Sequence, residues 1–127
     1  MGVFTYEIEV GNPDGSRYET IEAIVDTGAT YTMVPRSVLD RLGVRPHRRS
    51  RLLLADGRVA EQDVGRTWIR IDGDSEISLV IFGEEGTQPL LGAHAIEGLG
   101  LAVDPVHKRL VPAIGYLLAA LTYARRA

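Results

Sequence analysis

Apolar and polar residues alternate from the start of the chain. Apolar side chains occupy the even positions from Phe4 to Val10, and Thr5, Glu7 and Glu9 lie between them. A period of two predicts a half-buried strand. The turn-forming run GNPDGS (11–16) follows, and RYETIEAIV (17–25) returns as a second strand. The pattern therefore predicts a β-hairpin that delivers the chain to position 26.

The period then changes to that of a short helix. In PRSVLDRLG (35–43), Val38, Leu39 and Leu42 fall on one face. Pro35 suits the first helical turn, and Gly43 suits the end of the helix. The basic run RPHRRSR (45–51) lacks this periodicity, so we interpret it as a basic connector in solvent. Attraction of acidic peptides is the other interpretation of such a charge run.

The second half returns to strands. The segment LLLADGRVAEQDVGRTWIRIDG (52–73) predicts a long hairpin around the turn signal Asp56-Gly57. Further strands are predicted in EISLVIF (76–82), LAVD (101–104) and RLV (109–111). QPLLGAHAIEGLG (88–100) predicts a short buried strand that passes through a glycine into a brief helix. A last helix is predicted from Pro112, because apolar residues recur at helical spacing after it.

Length and element types together predict one domain. A chain of 127 residues has no room for a second full-sized domain. We expect a single all-β domain over 1–127, with a core at 3–112 and a C-terminal helical extension at 113–127.

Composition excludes several classes of function. The net charge of −3 predicts no general affinity for nucleic acid or for an anionic membrane. No cysteine is present, so thiolate catalysis and Cys-ligated metals are excluded, and the three histidines lack metal-ligand spacing. The longest apolar segment, AIGYLLAAL, is too short to span a bilayer. With no signal-peptide pattern at the N-terminus, we expect a cytoplasmic protein. We also expect that it needs no metal or other cofactor.

Asp26, Thr27 and Gly28 interrupt two apolar runs. They separate Ile24-Val25 from Met33-Val34. A turn at a strand end, in which the aspartate hydrogen-bonds its own backbone, would account for them. Their surroundings favour a second interpretation, because PLLG stands about 65 residues later, with a long hairpin between.

These segments resemble the retropepsin-like aspartic proteases, the single-lobe family that includes retroviral proteases and cellular and prokaryotic relatives. IVDTGATYTMVP (24–35) resembles the active-site segment of the family, and PLLGAHAIEGLGLAVD (89–104) resembles its later strand, helix and closing strand. The hairpin at 52–73 takes the place of the flap. The resemblance covers about residues 3–112, and it implies a closed, barrel-like β domain with a flap hairpin and short helices.

The resemblance also implies roles for the residues of the first segment. Asp26 would be the catalytic residue. Thr27 would hydrogen-bond across a dimer and fix the loop. Gly28 would allow the substrate and the catalytic aspartate of the other protomer to approach closely, because it has no side chain. Ala29 would line the cleft.

Two further sets of residues receive roles in the same way. The backbone at the flap tip would bind an extended peptide as an added strand; this tip consists of Ala55, Asp56 and Gly57. An apolar-apolar-glycine segment would support the catalytic loop from beneath; it consists of Leu90, Leu91 and Gly92.

Only one Asp-Thr-Gly is present, whereas this chemistry needs two carboxylates. The resemblance therefore implies a homodimeric endopeptidase that contributes one Asp26 per protomer and acts on a peptide or protein substrate. Thr30-Tyr31 and Ala93-His94 depart from the viral pattern and keep an alternative open, namely a non-catalytic peptide-binding or dimerisation module. Phosphoryl transfer is disfavoured, because its loops usually belong to parallel α/β sheets.

Overall fold

The computed structural model describes residues 4–115. Its elements, in chain order, are β1 (Phe4–Gly11), β2 (Tyr18–Val25), β3 (Thr32–Pro35), α1 (Arg36–Arg41), β4 (Arg48–Leu53), β5 (Val59–Ile71), β6 (Asp74–Gly83), β7 (Leu90–Leu91), α2 (Ala93–Gly98), β8 (Leu101–Asp104) and β9 (Arg109–Pro112). The predicted all-β class is confirmed, and both predicted helices within the core are present.

Six of the strands close into a ring. The main sheet has the order β1-β2-β7-β3-β6-β5-β4, and β1 also pairs with β5 through Glu9–Arg70 and Val10–Ile69. β4 is attached outside the ring, along β5. Strands β8 and β9 form a separate two-stranded sheet. The pairings β2–β7 and β3–β6 are parallel, and the others are antiparallel.

The core fills the inside of this ring. Alternation along β1 buries Ile8 and Val10, as the sequence predicts, and leaves Glu7 exposed. The two helices contribute apolar side chains to the same cluster. The largest fully buried side chains of this cluster come from five strands and from α1 with the residue that follows it: Ile8, Val10, Val34, Leu39, Leu42, Ile69, Ile71, Val80, Phe82 and Leu91.

The predicted hairpin over the first two strands is confirmed. β1 and β2 pair in register from Phe4–Val25 to Gly11–Tyr18. Asn12 holds the turn, because its Oδ1 accepts hydrogen bonds from the backbone N–H groups of Ser16 and Arg17. The second strand ends at Val25 and places Asp26 at the start of the next loop.

The basic run at 45–51 was predicted as a connector, and this is wrong for its second half. Residues 48–51 are the first four of β4, which pairs with β5 from Arg48–Val64 to Leu53–Val59. Arg49 stands opposite Asp63 in this ladder and forms an ion pair with it. The carboxylates that pair with this arginine-rich strand belong to β5, so the basic run by itself does not reveal them.

The long hairpin predicted at 52–73 is confirmed and begins earlier, at Arg48. β6 pairs with β5 only from Val64 onward, so the hairpin between Arg49 and Asp63 has no third strand. We call residues 48–63 the flap hairpin. It extends beyond the sheet as a two-stranded ribbon.

The end of the chain differs from the sequence prediction. Pro112 belongs to β9, and residues 113–115 have no regular structure, so no helix begins at Pro112. The rest of the predicted C-terminal helix lies outside the described residues. Among residues 4–115, no helix is long and apolar enough to cross a membrane.

Candidate active site

Asp26 begins the loop that connects β2 to β3. Its backbone N–H donates to the carbonyl of Leu91 on β7 (3.0 Å), and its own carbonyl accepts from Ala29 N–H (3.1 Å). The carboxylate Oδ1 accepts a hydrogen bond from Gly28 N–H (2.9 Å). One carboxylate oxygen is therefore held by the loop, while Oδ2 accepts no hydrogen bond from residues 4–115.

The first turn of α2 packs against this loop. The N–H of Ala93 donates to Ala29 O (2.8 Å), and the N–H of His94 donates to Thr30 O (3.0 Å). The N–H of Gly92 donates to Thr32 Oγ1 (3.1 Å). The first two of these hydrogen bonds bind the loop and the third binds the first residue of β3, so a shift of the loop would leave N–H groups at the start of α2 without partners.

Gly92 is required by the close approach of the loop. A Cβ at this position would lie 2.5 Å from the carbonyl oxygen of Tyr31 and 2.9 Å from that of Ala29. Real Cβ atoms essentially never come so close to backbone. The glycine therefore provides space, since its own backbone is extended, with φ −96°.

Thr27 and Gly28 lie at the exposed side of the loop. No hydrogen bond joins the Thr27 hydroxyl to any residue in 4–115. A Cβ at Gly28 would meet only Asp26 Oδ1, at 3.1 Å. Both residues are thus open to a second molecule, whereas Asp26 and Ala29 are half-buried.

An apolar row extends across the sheet from the strand that precedes Asp26. Cα partners in adjacent strands share a face of the sheet, and these partners run from Ile24 through Leu90, Met33 and Ile81 to Val64. Val64 and Ile81 are buried but lie outside the main core cluster. Ile24, Leu90 and Met33 are half-buried. This face of the sheet therefore offers apolar surface near Asp26.

The flap tip is held by its own contacts. Leu54 N–H donates to Arg58 O (2.8 Å), and Gly57, at φ +88°, donates to Leu54 O (3.0 Å). Asp56 accepts hydrogen bonds from the backbone and the side chain of Arg58, and these lower the pKa of its carboxyl group. Ala55, Asp56 and Gly57 are exposed. No hydrogen bond joins them to the Asp26 loop within 4–115.

Comparison with known families identifies this architecture. Residues 17–97 match a family model described as "gag-polyprotein putative aspartyl protease". The chain belongs to this family. As an aspartyl protease it is a hydrolase, and the matched residues include both the Asp26 loop and the flap hairpin.

A solved structure supports the fold of this aspartyl protease. The solution structure of the simian foamy virus (mac) protease matches with a TM-score of 0.53 and 23% sequence identity. The match covers 74% of this chain and 92% of that chain. At this identity the likeness concerns the fold, which is retropepsin-like. No curated protein matches the chain.

The structure brings together one part of the predicted site of the aspartyl protease and leaves another part separate. Asp26 donates a hydrogen bond to Leu91, and Ala29 accepts one from Ala93, the residue after Gly92. Leu90 lies next to them as the partner of Ile24 in the sheet. The flap tip is separate from this group. The catalytic and binding roles of all these residues stay predictions.

Two features near the site were not predicted. Thr32 is fully buried, and its hydroxyl holds the N–H of Gly92; a polar residue between apolar neighbours in a strand was the only signal. The rings of Tyr31 and His94 lie 6.3 Å apart between centroids, so two residues that depart from the viral pattern are neighbours. Among residues 4–115, no group of three or more His, Cys, Asp or Glu side chains could hold a metal ion.

Proposed function

We propose that this aspartyl protease is a homodimeric endopeptidase whose active site contains one Asp26 from each protomer. The proposal rests on how the loop presents the carboxylate of Asp26. A single Asp-Thr-Gly presents a carboxylate anchored through one oxygen, beside two exposed residues that the rest of the described chain does not cover. A second copy of the same loop, related by a two-fold axis, would complete the site.

The proposed chemistry uses the two carboxylates in different protonation states. One is ionised and removes a proton from water, and the other is protonated and donates a hydrogen bond to the carbonyl oxygen of the scissile peptide. Two carboxylates at about 3 Å cannot both ionise comfortably, so they share one proton. The apparent pKa values then belong to the pair. Cleavage should therefore decrease on the alkaline side, as the shared proton is lost.

The other residues of the site would bind and position. In this proposal Thr27 contacts the second protomer, and Gly28 leaves room for the peptide and the second carboxylate. Leu90, Leu91 and Gly92 hold the loop from beneath. The tip residues Ala55, Asp56 and Gly57 cover an extended peptide, whose apolar side chains would contact the row that includes Met33. A cytoplasmic location also belongs to the proposal.

The test compares Asp26→Asn with the unaltered protein. Cleavage of an unfolded reporter polypeptide, followed from acidic to neutral pH, should be pepstatin-sensitive in the unaltered protein. In Asp26→Asn it should fall by roughly 10³-fold, because asparagine can neither remove a proton from water nor share one. Sedimentation should still show a dimer for the variant.

Asp40→Asn is the matched control. Asp40 is an exposed aspartate in α1, outside the Asp26 loop, and the same substitution there should leave the cleavage rate unchanged. The proposal fails if the unaltered protein cleaves nothing over the whole pH range, or if Asp26→Asn cleaves equally well. Peptide binding without cleavage would instead indicate the non-catalytic module.

A further inference from the structure

Asp63 lies where the flap hairpin leaves the sheet. It precedes Val64, the first residue of β5 that pairs with β6, and its partner on β4 is Arg49. Two guanidinium groups bind its carboxylate. Arg36 Nη2 lies 2.6 Å from Oδ2, and Arg49 Nη1 lies 3.2 Å from Oδ1. Only 20% of the Asp63 side chain is exposed, so this carboxylate is the least exposed member of the cluster.

Arg36 connects this cluster to the core. It is the first residue of α1, directly after the strand that follows the Asp26 loop. Its guanidinium carbon lies 4.9 Å from the centre of the Phe82 ring, which is almost fully buried. A guanidinium over an aromatic face is attracted to it. The ion pair with Asp63 therefore joins the base of the flap hairpin to a fixed point in the core.

Arg49 connects the same carboxylate to the other strand of the hairpin. Its Nη2 donates to the carbonyl of Glu61 (3.1 Å), and its Nε lies 3.6 Å from Glu61 Oε1. The guanidinium thus contacts Glu61 and Asp63, both on β5. Within residues 4–115, Asp63 is the only carboxylate that pairs with both arginines, so its loss would free Arg36 from the hairpin and leave Arg49 bound to Glu61.

We propose that Asp63 is a positioning residue that tethers the base of the flap hairpin and limits its opening. The inference rests on the proposed function, because limiting the flap matters for the reaction only if the hairpin closes over a peptide. A partly exposed ion pair changes an equilibrium by roughly two- to fivefold. Of the two pairs that Asp63 forms, the one with Arg36 joins the hairpin to the rest of the molecule, so removing the charge of Asp63 should favour the open flap by roughly two- to fivefold.

Asp63→Asn tests the tether, because it removes the charge and keeps the size. Amide hydrogen exchange should become roughly two- to fivefold faster within the flap hairpin, with exchange elsewhere in the sheet unchanged. The KM for a reporter peptide should rise by a similar factor while kcat stays within about twofold, since the loss affects binding and leaves the carboxylate chemistry intact. Asp63→Glu, which keeps the charge, should exchange more slowly than Asp63→Asn.

Glu9→Gln is the control, because the same arrangement occurs at the other end of β5. Arg70 forms two hydrogen bonds with Glu9 (2.6 and 3.0 Å), and its guanidinium carbon lies 3.8 Å from the centre of the Tyr18 ring. This pair also joins two strands, but it is not at the flap. Its loss should leave exchange in the flap hairpin and KM unchanged.

Exchange and activity give separate answers. Unchanged exchange at 48–63 in Asp63→Asn overturns the tether, whatever the cleavage rate. The tether is also overturned if the flap hairpin exchanges as fast in Glu9→Gln as in Asp63→Asn, or if exchange in Asp63→Asn becomes faster throughout the sheet. Either result would indicate a general loss of stability. If the unaltered protein cleaves no peptide, the proposed function fails, and the exchange comparison still tests the tether.

Discussion

Gly92 links the supporting strand β7 to the loop that carries Asp26. Its N–H is used by Thr32, and the space where a side chain would stand is filled by the carbonyl groups of Ala29 and Tyr31. The sequence motif Leu-Leu-Gly therefore reflects a steric requirement at this position. The loop geometry depends on it, because the next two N–H groups bind the same loop.

Gly92→Ala should be strongly destabilising for this reason. A methyl group would force backbone apart, and we expect a loss of about 2–4 kcal/mol in the free energy of unfolding. Urea unfolding measures it. Gly98→Ala is the control, because a Cβ there meets nothing within 4 Å, and it should change stability by less than about 1 kcal/mol. Equal effects of the two substitutions would contradict the steric explanation.

In the β8–β9 hairpin, one side chain makes most of the contacts that hold the turn. Asp104 ends β8, and its Oδ1 accepts from the N–H groups of Val106 and His107. Its Oδ2 lies 2.8 Å from His107 Nδ1 and 3.4 Å from Arg109 Nε. These contacts lower the pKa of Asp104, and the side-chain hydrogen bond with His107 is the largest cause.

This pKa shift predicts a pH-dependent contribution to stability. Because the pKa of Asp104 is lower in the folded protein than its ordinary value of 3.8, the contribution is fully present above that value. It is lost as the pH falls through the pKa of the folded state. Asp104→Asn should therefore be less stable than the unaltered protein near neutral pH, and the difference should shrink in strong acid. Urea unfolding at a series of pH values tests this; a difference that stays constant with pH would contradict it.

In the molecule as a whole, the proposed active site is shared between two chains. A mixed dimer, with one unaltered chain and one chain that carries Asp26→Asn, would lack one of the two carboxylates, so it should be inactive. Mixing equal amounts of the two proteins, with subunit exchange, should leave about half the activity that the same amount of unaltered protein shows alone. The measurement is the initial rate of cleavage after re-equilibration.

A matched mixture distinguishes this effect from dilution. Asp40→Asn, added in the same amount, should not lower the rate, since its dimers retain both carboxylates. If added Asp26→Asn leaves the rate of the unaltered protein unchanged although pull-down through a tag on the variant shows mixed dimers, each protomer works alone and the shared pair is wrong.

Local patterns along the sequence predicted most of the elements. Period-two alternation predicted β1, and turn-forming residues predicted the first hairpin and the flap, since hairpins join residues that are close in the chain. Asp26, Thr27 and Gly28 were recognisable because they interrupt an apolar run. Gly92 was recognisable from its motif, although the motif did not reveal which atoms require it.

Long-range pairing accounts for what the local patterns missed. By its sequence alone, Arg48–Arg51 is typical of a solvated connector, but in the fold it lies opposite the carboxylates of β5. The ring closes because β1 pairs with β5, far along the chain. Thr32 became part of the site in the same way, through the N–H of Gly92. Side-chain period and turn chemistry are properties of neighbouring residues, so the sequence was sufficient for most of the strands and for the class of fold, and the family resemblance singled out the candidate aspartate. Which charges neutralise each other and which backbones touch depends on residues far apart in the chain, and folding alone brings those together.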